Sequence, residues 1–467
     1  MSTSLRVLDG FGGAVRAACR HVAPRSVDEL CAVLAAARRE GVSVGFRGSG
    51  RSYGDAALNS RGVVIDTRPM DRMLRWEPGT GVLEAEAGLT VEGVWRRTIE
   101  DGYWPYVVPG TMKPTLGGCI SANIHGKNNF REGTFGEHVE ELDLVTVAGE
   151  RLTCSRAQNS DVFHAVLGGM GLLGAVTRVK LQLKRVGGGR VRVLPLAGES
   201  LHELFGLFEA HLPTSDYLVG WVDCLSSGPF LGRGELHAAR YTGPDEDPQA
   251  RESLHVERQG LPPHIFGVPK SQIWRILSLF RSNHMMRLLN GVKYQASWLG
   301  HKRSYLQSHV GFAFLLDYVP DWRLAYGSPG FIQYQIFAPA ATALECFKDV
   351  LRLSQRAGIC SYLGVLKRHR PDPFVLSHGL DGWSLALDFP VAPHGREALW
   401  KMTEALTELV IQAGGRFYFA KDAVLRAQDV ERAYGRDRLD RFRAMKARLD
   451  PEGVLSNDLA VRGGIAG

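Results

Sequence analysis

Eleven residues, GFRGSGRSYGD from Gly45 to Asp55, contain Gly45, Gly48, Gly50 and Gly54, broken only by small, basic and aromatic side chains. Glycine at that density lets a backbone pass through positive φ and come closer to a ligand than any Cβ would allow. Such a run serves either as a flexible surface loop or as a cradle whose successive N–H groups face an anion. Arg47 and Arg51 add positive charge, which makes a diphosphate the natural occupant. A second cluster decides between the two uses. PGTMKPTLGGCISANIHGKNN, from Pro109 to Asn129, repeats the composition and ends in polar side chains able to grip a heterocycle.

The flanking pattern predicts how the loops are delivered. SVDELCAVLAAARREG reads as a helix with Ser26 as N-cap, Asp28 and Glu29 in its first turn, and Leu30, Val33, Leu34 and Ala37 on one face. Gly41 stops it, and VSVGF reads as the strand that leads into the first loop. GVVIDT and VLEAEA read as further strands, and a helix is expected from about Thr90. ELDLVTVAGERLTCS reads as a hairpin turning near Ala148 and Gly149, a short helix is expected with Ser160 as its cap, and GAVTRVKLQLKRV alternates as a strand. These elements predict an α+β unit over 1–186 that closes at the glycine run Gly187 to Gly189. From 190 to 422, YLVGWVDCL, GFIQYQIFAP, YLGVLKRH, WSLALDFPV and GRFYFA read as strands, with three helical segments between them. An antiparallel sheet covered by helices is expected there. The tail, 423–467, reads as a charged helical segment followed by DPEGVLSNDLA, packed back on the first unit.

Composition excludes several classes. A net charge of +7 over 467 residues suits an anionic ligand but does not argue for nucleic acid. Seven scattered cysteines without a CxxC pair indicate neither a zinc site nor a disulfide framework, so no metal is expected and the thiols suit the cytoplasm. The N-terminus lacks a signal-peptide pattern, and no apolar run approaches the roughly 20 residues that span a bilayer. GMGLLG, Gly169 to Gly174, matches a dinucleotide fingerprint, but a helix precedes it, a strand follows it and no acid lies between Asp161 and Glu199, which argues against a nicotinamide site. One basic stretch, 258–316, has no Asp or Glu. Its basic residues, among them Arg275, Arg281, Arg287 and Lys293, are interleaved with large apolar ones but share no single helical face. It reads either as a solvated helical insertion or as a lid that meets an anionic lipid or polyprenyl phosphate.

Taken together, RGSGRSYGD, PGT, TLGG, NIHGKN and FGEHV, followed in order by AYGSPGFIQYQ, VLKR, GWSLALDFP, GGRFYFAKD and LDPEGVLSNDLA, resemble one flavoprotein family. It is the decaprenylphosphoryl-β-D-ribose 2′-oxidase-like group of the p-cresol methylhydroxylase/vanillyl-alcohol oxidase superfamily. The resemblance implies an α+β, two-domain FAD-binding PCMH/VAO-type fold with an antiparallel-sheet substrate domain. It implies that Phe46, Arg47, Gly48, Ser49, Gly50, Arg51, Ser52, Tyr53, Gly54, Asp55 and Ala56 hold the FAD diphosphate. Gly110, Thr115, Leu116, Gly117, Gly118, Ala122, Asn123, Ile124 and His125 would line the flavin, with Val176 and Tyr418 completing the site. Several superfamily members tether the flavin through a histidine in the first loop; here that loop has none, so noncovalent FAD is expected.

An alcohol oxidised by a flavin needs its carbinol C–H aimed at the ring and a group to take the hydroxyl proton. Lys421 matches the family's active-site lysine, His125 is a second candidate base, and Tyr53 matches another pocket position. Gln333, Gln335, Lys367 and Ser384 are the implied substrate contacts. Tyr334 and Trp383 alternate with these positions and read as core. Mycobacterial members carry Asn and Cys where this chain has Ser384 and Ala386, so the pocket is altered and compounds that capture that cysteine should not react here. The implied reaction is oxidation of a secondary hydroxyl, C2 of a polyprenyl-phosphoryl pentose, as the first half of an epimerisation. A separate NAD(P)H-dependent reductase would complete it, at the inner face of the plasma membrane. A soluble aldonolactone or alditol oxidase using O₂, similar to D-arabinono-1,4-lactone oxidase, shares the plan, and a flavin-binding protein without turnover is a third reading.

Overall fold

The helix capped by Ser26 spans Val27–Glu40: the Ser26 hydroxyl accepts from Glu29 N, and Gly41, at φ 63°, ends it in the left-handed conformation. This computed structural model describes residues 3–243, 246–265 and 267–466. The helix packs Leu30, Leu34 and Ala37 against a four-stranded sheet of β1 (Ser4–Asp9), β2 (Arg16–Val22), β3 (Val44–Arg47) and β4 (Val63–Asp66), ordered β1-β2-β4-β3. β4 runs parallel to both its neighbours, so β3 points its C-terminal end, and the glycine loop after it, in the direction of β4. The end of the chain returns here, with Val44 N donating to Val454 O and Ser456 N to Val44 O at 2.7 and 2.8 Å.

A second sheet contains β5 (Met73–Glu77), β6 (Val82–Glu86), β7 (Tyr103–Pro105), β8 (Val139–Val145), β9 (Arg151–Ser155) and β10 (Ala175–Arg185). The alternating segment GAVTRVKLQLKRV supplies its centre, β10, which pairs with β6, β7 and β8. β8 and β9 are the expected hairpin. The expected helix at Thr90 is Val91–Thr98, with the Thr90 hydroxyl accepting from Gly93 N. Ser160 is the first residue of its helix; the cap position belongs to Asn159, held at φ 48°.

The third sheet is antiparallel throughout. It comprises β11 (Arg190–Gly198), β12 (Tyr217–Val222), β13 (Gly234–Tyr241), β16 (Tyr305–Ser308), β17 (Phe331–Pro339), β18 (Gly364–His369), β19 (Gly382–Pro390) and β20 (Arg416–Phe417). The order is β16-β11-β13-β12-β18-β19-β17-β20, and a separate two-stranded ladder joins β14 (His264–Ile265) to β15 (Val268–Pro269). β11 contains Pro195, which the alternation does not betray as a strand residue. The proline is tolerated because β16 covers only Arg190 to Val193, so its missing N–H breaks no ladder bond on that side. Helices over Leu201–His211, Ala343–Arg356 and Arg396–Gln412 cover one face. Tyr334 and Trp383 point to that face as expected: Tyr334 Oη pairs with Thr407 Oγ1 at 2.9 Å, and Trp383 stacks on Phe205 with centroids 4.1 Å apart. GRFYFA is extended only at Arg416–Phe417, because the chain turns at once and Lys421 N donates to Tyr418 O.

Within the basic stretch, whose residue 266 lies outside the described residues, the main element is the helix Asn283–Gly300, capped by Ser282. Among the described residues no helix is long and apolar enough to cross a membrane. All seven cysteines are unpaired.

Candidate active site

The opposite face of the third sheet and the two glycine loops enclose a cavity of about 600 Å³. Strand register decides which side chains reach it, because residues directly paired across strands share a face. One row runs Gln335, Ala386, Val365, Trp221, Glu235 across β17, β19, β18, β12 and β13. The four steps between these strands, about 4.8 Å each, make a wall roughly 19 Å wide. Beside it lie Ser384 with Lys367, and Val219 with His237. On the other side Gln333 faces Asp388. Gln333 and Gln335 are buried between apolar neighbours on a strand that is covered on both faces. Amides kept at such positions cost desolvation unless something in the cavity uses them.

The first glycine loop approaches the second so closely that a Cβ on Gly48 would lie 2.2 Å from Thr115 Oγ1, and one on Gly54 would lie 1.7 Å from Asp422 O. Both contacts forbid a side chain. From the first loop, Phe46, Gly48, Ser49, Gly50, Arg51, Ser52, Tyr53 and Ala56 line the cavity. From the second come Gly110, Thr115, Gly117, Gly118, Ala122, Ile124 and His125. Val176, Gln333, Gln335, Lys367, Tyr418 and Lys421 complete the expected set that reaches it.

Six expected contacts do not line this cavity. Arg47 turns to a neighbouring cleft and donates to Asp9 O and Ala57 O. Gly54 is packed on Asp422, Leu116 lies in the core, and Asp55 is bonded by Arg462 at 2.8 and 2.9 Å. Asn123, at φ 40°, uses its Oδ1 to accept from Gly136 N, which fixes the bend before His125. Ser384 pairs with His369 Nε2 at 2.7 Å. Arg47, Asp55, Asn123 and Ser384 spend side-chain groups on protein partners, while Gly54 and Leu116 are enclosed by packing.

Other lining residues carried no signal in the sequence. Phe11, Leu315 and Leu316 come from segments without a motif, and the discarded GMGLLG run contributes Met170, Gly171 and Gly174 to the wall. Lys127 could have been read from NIHGKN. Its ammonium donates to Phe312 O and to Ala313 O, tying the second loop to the end of the basic stretch. At the far end Lys293 stands 4.0 Å over the Trp221 ring, and His237 Nε2 lies 3.3 Å from Glu235 Oε2.

Three lysines meet at the inner end. Lys367 is pushed down to about 8 by burial. Burial, with Lys367 nearby, also lowers Lys127 and Lys421 well below the ordinary ammonium range. Burial raises the carboxyl of Asp388. Lys421 Nζ sits 3.6 Å from the Tyr53 ring centroid. Burial keeps His125 neutral; Gln335 Nε2 is 2.9 Å from its Nε2 and donates to it, leaving the ring proton on Nδ1.

The FAD fit can be tested on the protein atoms alone. Tyr53 Oη, His125 Nδ1 and Tyr418 Oη are buried on the cavity wall without a protein partner. Buried polar atoms are almost always paired, so these three imply a ligand with its own donors and acceptors. The glycine cradle beside Arg51 and the Thr115 hydroxyl suits a diphosphate, and the apolar wall with three such polar atoms suits an isoalloxazine. The residues fit the group.

Comparison with known proteins agrees with that chemistry. The family described as an FAD binding domain matches residues 20–155. Decaprenylphosphoryl-β-D-ribose oxidase of Mycolicibacterium smegmatis is 31% identical over 92% of this chain and 91% of its own length. An uncharacterized protein of the mprA 5′ region of Streptomyces coelicolor is 30% identical over 78% of this chain and 96% of its own. Cytokinin dehydrogenase 9 of Oryza sativa subsp. japonica is 33% identical over only 39% of this chain and 36% of its own length.

Proposed function

This chain belongs to the decaprenylphosphoryl-β-D-ribose oxidase family of FAD-dependent oxidoreductases, and from that premise we propose that it oxidises the C2 hydroxyl of a polyprenyl-phosphoryl pentose to a ketone. The observation that carries the substrate class is the cluster of three lysines at the inner end of the cavity, whose charged forms burial disfavours until an anion offsets them. Lys127, Lys367 and Lys421 face the cavity against one carboxylate, Asp388, whereas a neutral lactone or alditol would bring no charge to oppose them. A phosphodiester supplies that anion and two strong acceptor oxygens.

In this reading the sugar lies against Tyr53, Gln333 and Gln335, with Lys421 at the hydroxyl to be oxidised and His125 held neutral by Gln335 as a hydrogen-bonding neighbour. Lys367 and Lys127 hold the phosphate. What bound FAD supplies is a two-electron acceptor for the carbinol hydrogen. The polyprenyl chain follows the apolar strip of Val219, Trp221, Val365, Leu315 and Leu316 towards the basic helical segment. That segment exposes Leu279, Leu288, Val292 and Leu299, each at least 60% accessible, among Arg281, Arg287 and other basic residues. Apolar side chains in a basic surround suit the face of an anionic bilayer. The FAD is held noncovalently, a reading supported by a wall with no cysteine and with His125 and His237 as its histidines. The keto-sugar product leaves for a separate nicotinamide-dependent reductase. We place the flavin half at 1–186 with 423–467, and the substrate half at 190–422.

Anaerobic mixing of the purified holoenzyme with polyprenyl-phosphoryl ribose tests the reading: bleaching of the flavin band is expected, and free ribose or ribitol should leave it unchanged. Reduction by free lactones or alditols, with peroxide released in air, would replace it with the soluble-oxidase reading. Flavin in the supernatant after acid precipitation is the expected sign of noncovalent binding; flavin in the pellet would overturn it.

A further inference from the structure

Asp388 is fully buried and does not line the cavity, yet it is a carboxylate whose charge acts on Lys421. It stands on β19 opposite Gln333, whose Nε2 donates to Asp388 Oδ1 at 2.5 Å, while Oδ2 has no protein partner. The backbone of Asp388 is occupied independently, its N–H by Leu363 O and its carbonyl by Tyr362 N, so the ladder does not need the side chain. A buried carboxylate with one oxygen unpaired costs the fold stability. Its surroundings suggest what it serves. Lys421 comes from the turn after β20, Tyr53 from the glycine loop, Gln333 from β17, and Tyr326 and Cys224 from the flanking segments. Lys421 is faced in turn by Lys367 of β18 and by His125 of the second loop. Gln333 and Tyr53 thus stand between the carboxylate and the cavity, with Lys421 over the Tyr53 ring.

We propose that Asp388 is a positioning residue of the reaction: acting on Lys421 from behind Tyr53 and Gln333, it sets whether that lysine meets the substrate hydroxyl as an amine or as an ammonium. The inference rests on the role given above to Lys421. As the carbinol hydrogen leaves carbon with its electron pair for the two-electron acceptor, the hydroxyl O–H bond breaks and its proton passes to the amine of Lys421. The ammonium so formed is stabilised by the carboxylate behind Tyr53 and Gln333, which favours retention of the proton until the product leaves. Burial and Lys367 disfavour the charged form of Lys421, and the carboxylate is the named neighbour that favours it.

The test uses the FAD-loaded enzyme and the variants Asp388→Asn and Asp388→Glu. Without substrate, the titration of Lys421 is read by NMR of reductively ¹³C-methylated lysines, its signal assigned by its absence in Lys421→Met. Asp388→Asn is expected to lower the Lys421 midpoint by at least about one pH unit, a tenfold change in its protonation equilibrium, and Asp388→Glu to restore most of it. The pH at which flavin reduction is half-maximal should move the same way. An unmoved Lys421 midpoint in Asp388→Asn would overturn the inference. So would a rate that falls equally at every pH and is not rescued by Asp388→Glu, since that marks a structural role. If Asp388→Asn does not fold, Asp388→Ser decides by the same reading: an unmoved Lys421 midpoint overturns the inference. A midpoint that moves as expected, in an enzyme that no polyprenyl-phosphoryl sugar reduces, sustains the Asp388–Lys421 coupling and overturns the substrate reading instead.

Discussion

Lys421 and four buried histidines put opposite demands on the proton. Lys421→Met should slow flavin reduction by about 10²–10⁴-fold, the usual worth of a positioned acid–base group, while the bound flavin keeps its spectrum. His125, His309, His369 and His378 are buried, and burial depresses all four, His309 to about 4 and His378 to about 3. In the unfolded chain each titrates near 6.5, so below that pH the unfolded state binds protons that the folded state refuses. Their stabilising contribution is therefore complete above pH 6.5 and is lost as pH falls, by up to about 1.4 kcal/mol per pH unit for each histidine. Urea titrations between pH 7 and 5 should show this slope, and its absence would mean the imidazoles accept protons in place. At Ala386, in the middle of the cavity wall, electrophiles that capture a cysteine should leave the protein unlabelled, and Ala386→Cys should gain the label by intact mass.

Besides Lys127, Asp317 holds the segment after the basic stretch to the second glycine loop. Asp317 accepts from Thr111 Oγ1 at 2.7 Å and from Met112 N at 2.8 Å, and Leu316 N donates to Gly110 O. Hydrogen bonds to a charged group of this kind are worth about 1.5–3 kcal/mol. Asp317→Ala should therefore open the segment, seen as several-fold faster tryptic cleavage between 258 and 316 with unchanged flavin content. Equal cleavage rates would show that Lys127 alone secures it. Neutralising Arg275, Arg281 and Arg287 together should weaken association with anionic vesicles and leave the flavin spectrum intact. These positions were legible as basic residues between apolar ones, but their outward direction was not. The helix Asn283–Gly300 buries Asn290, Tyr294 and Ser297 on its inner side, and polar residues on that face hide its amphipathic pattern.

Across the whole molecule, residues far apart in the chain meet behind the first glycine loop. Arg462 bonds Asp55 through two nitrogens and lies 2.8 Å from Asp422, both carboxylates being buried. One side chain from the C-terminal segment thereby fixes the glycine loop and the turn that carries Lys421. Arg462→Met leaves two buried carboxylates facing each other, a loss of about 3–5 kcal/mol when a buried pair is broken. Lower thermal stability together with weaker FAD retention on dilution is expected; loss of stability with unchanged FAD affinity would show that the loop holds its shape alone.

Local chemistry wrote the glycine loops, the Ser26-capped helix and the alternating strands into the sequence, because positive φ, side-chain capping and two-residue periodicity depend only on near neighbours. Those elements predicted an α+β chain, and the family resemblance of its motifs implied the flavoprotein fold and most of the residues that reach the cavity. Asp55, Asn123 and Ser384 carry the same polar chemistry as true cavity residues, but their groups are consumed by Arg462, Gly136 and His369, partners that only the folded chain supplies. Asp388 was unreadable for a related reason. It belongs to the alternating face of β19, and only the antiparallel register that sets it against Gln333, with Lys421 arriving from the turn after β20, turns a buried acid into a neighbour of that lysine. Long-range pairing decides these contacts, and no local pattern encodes it.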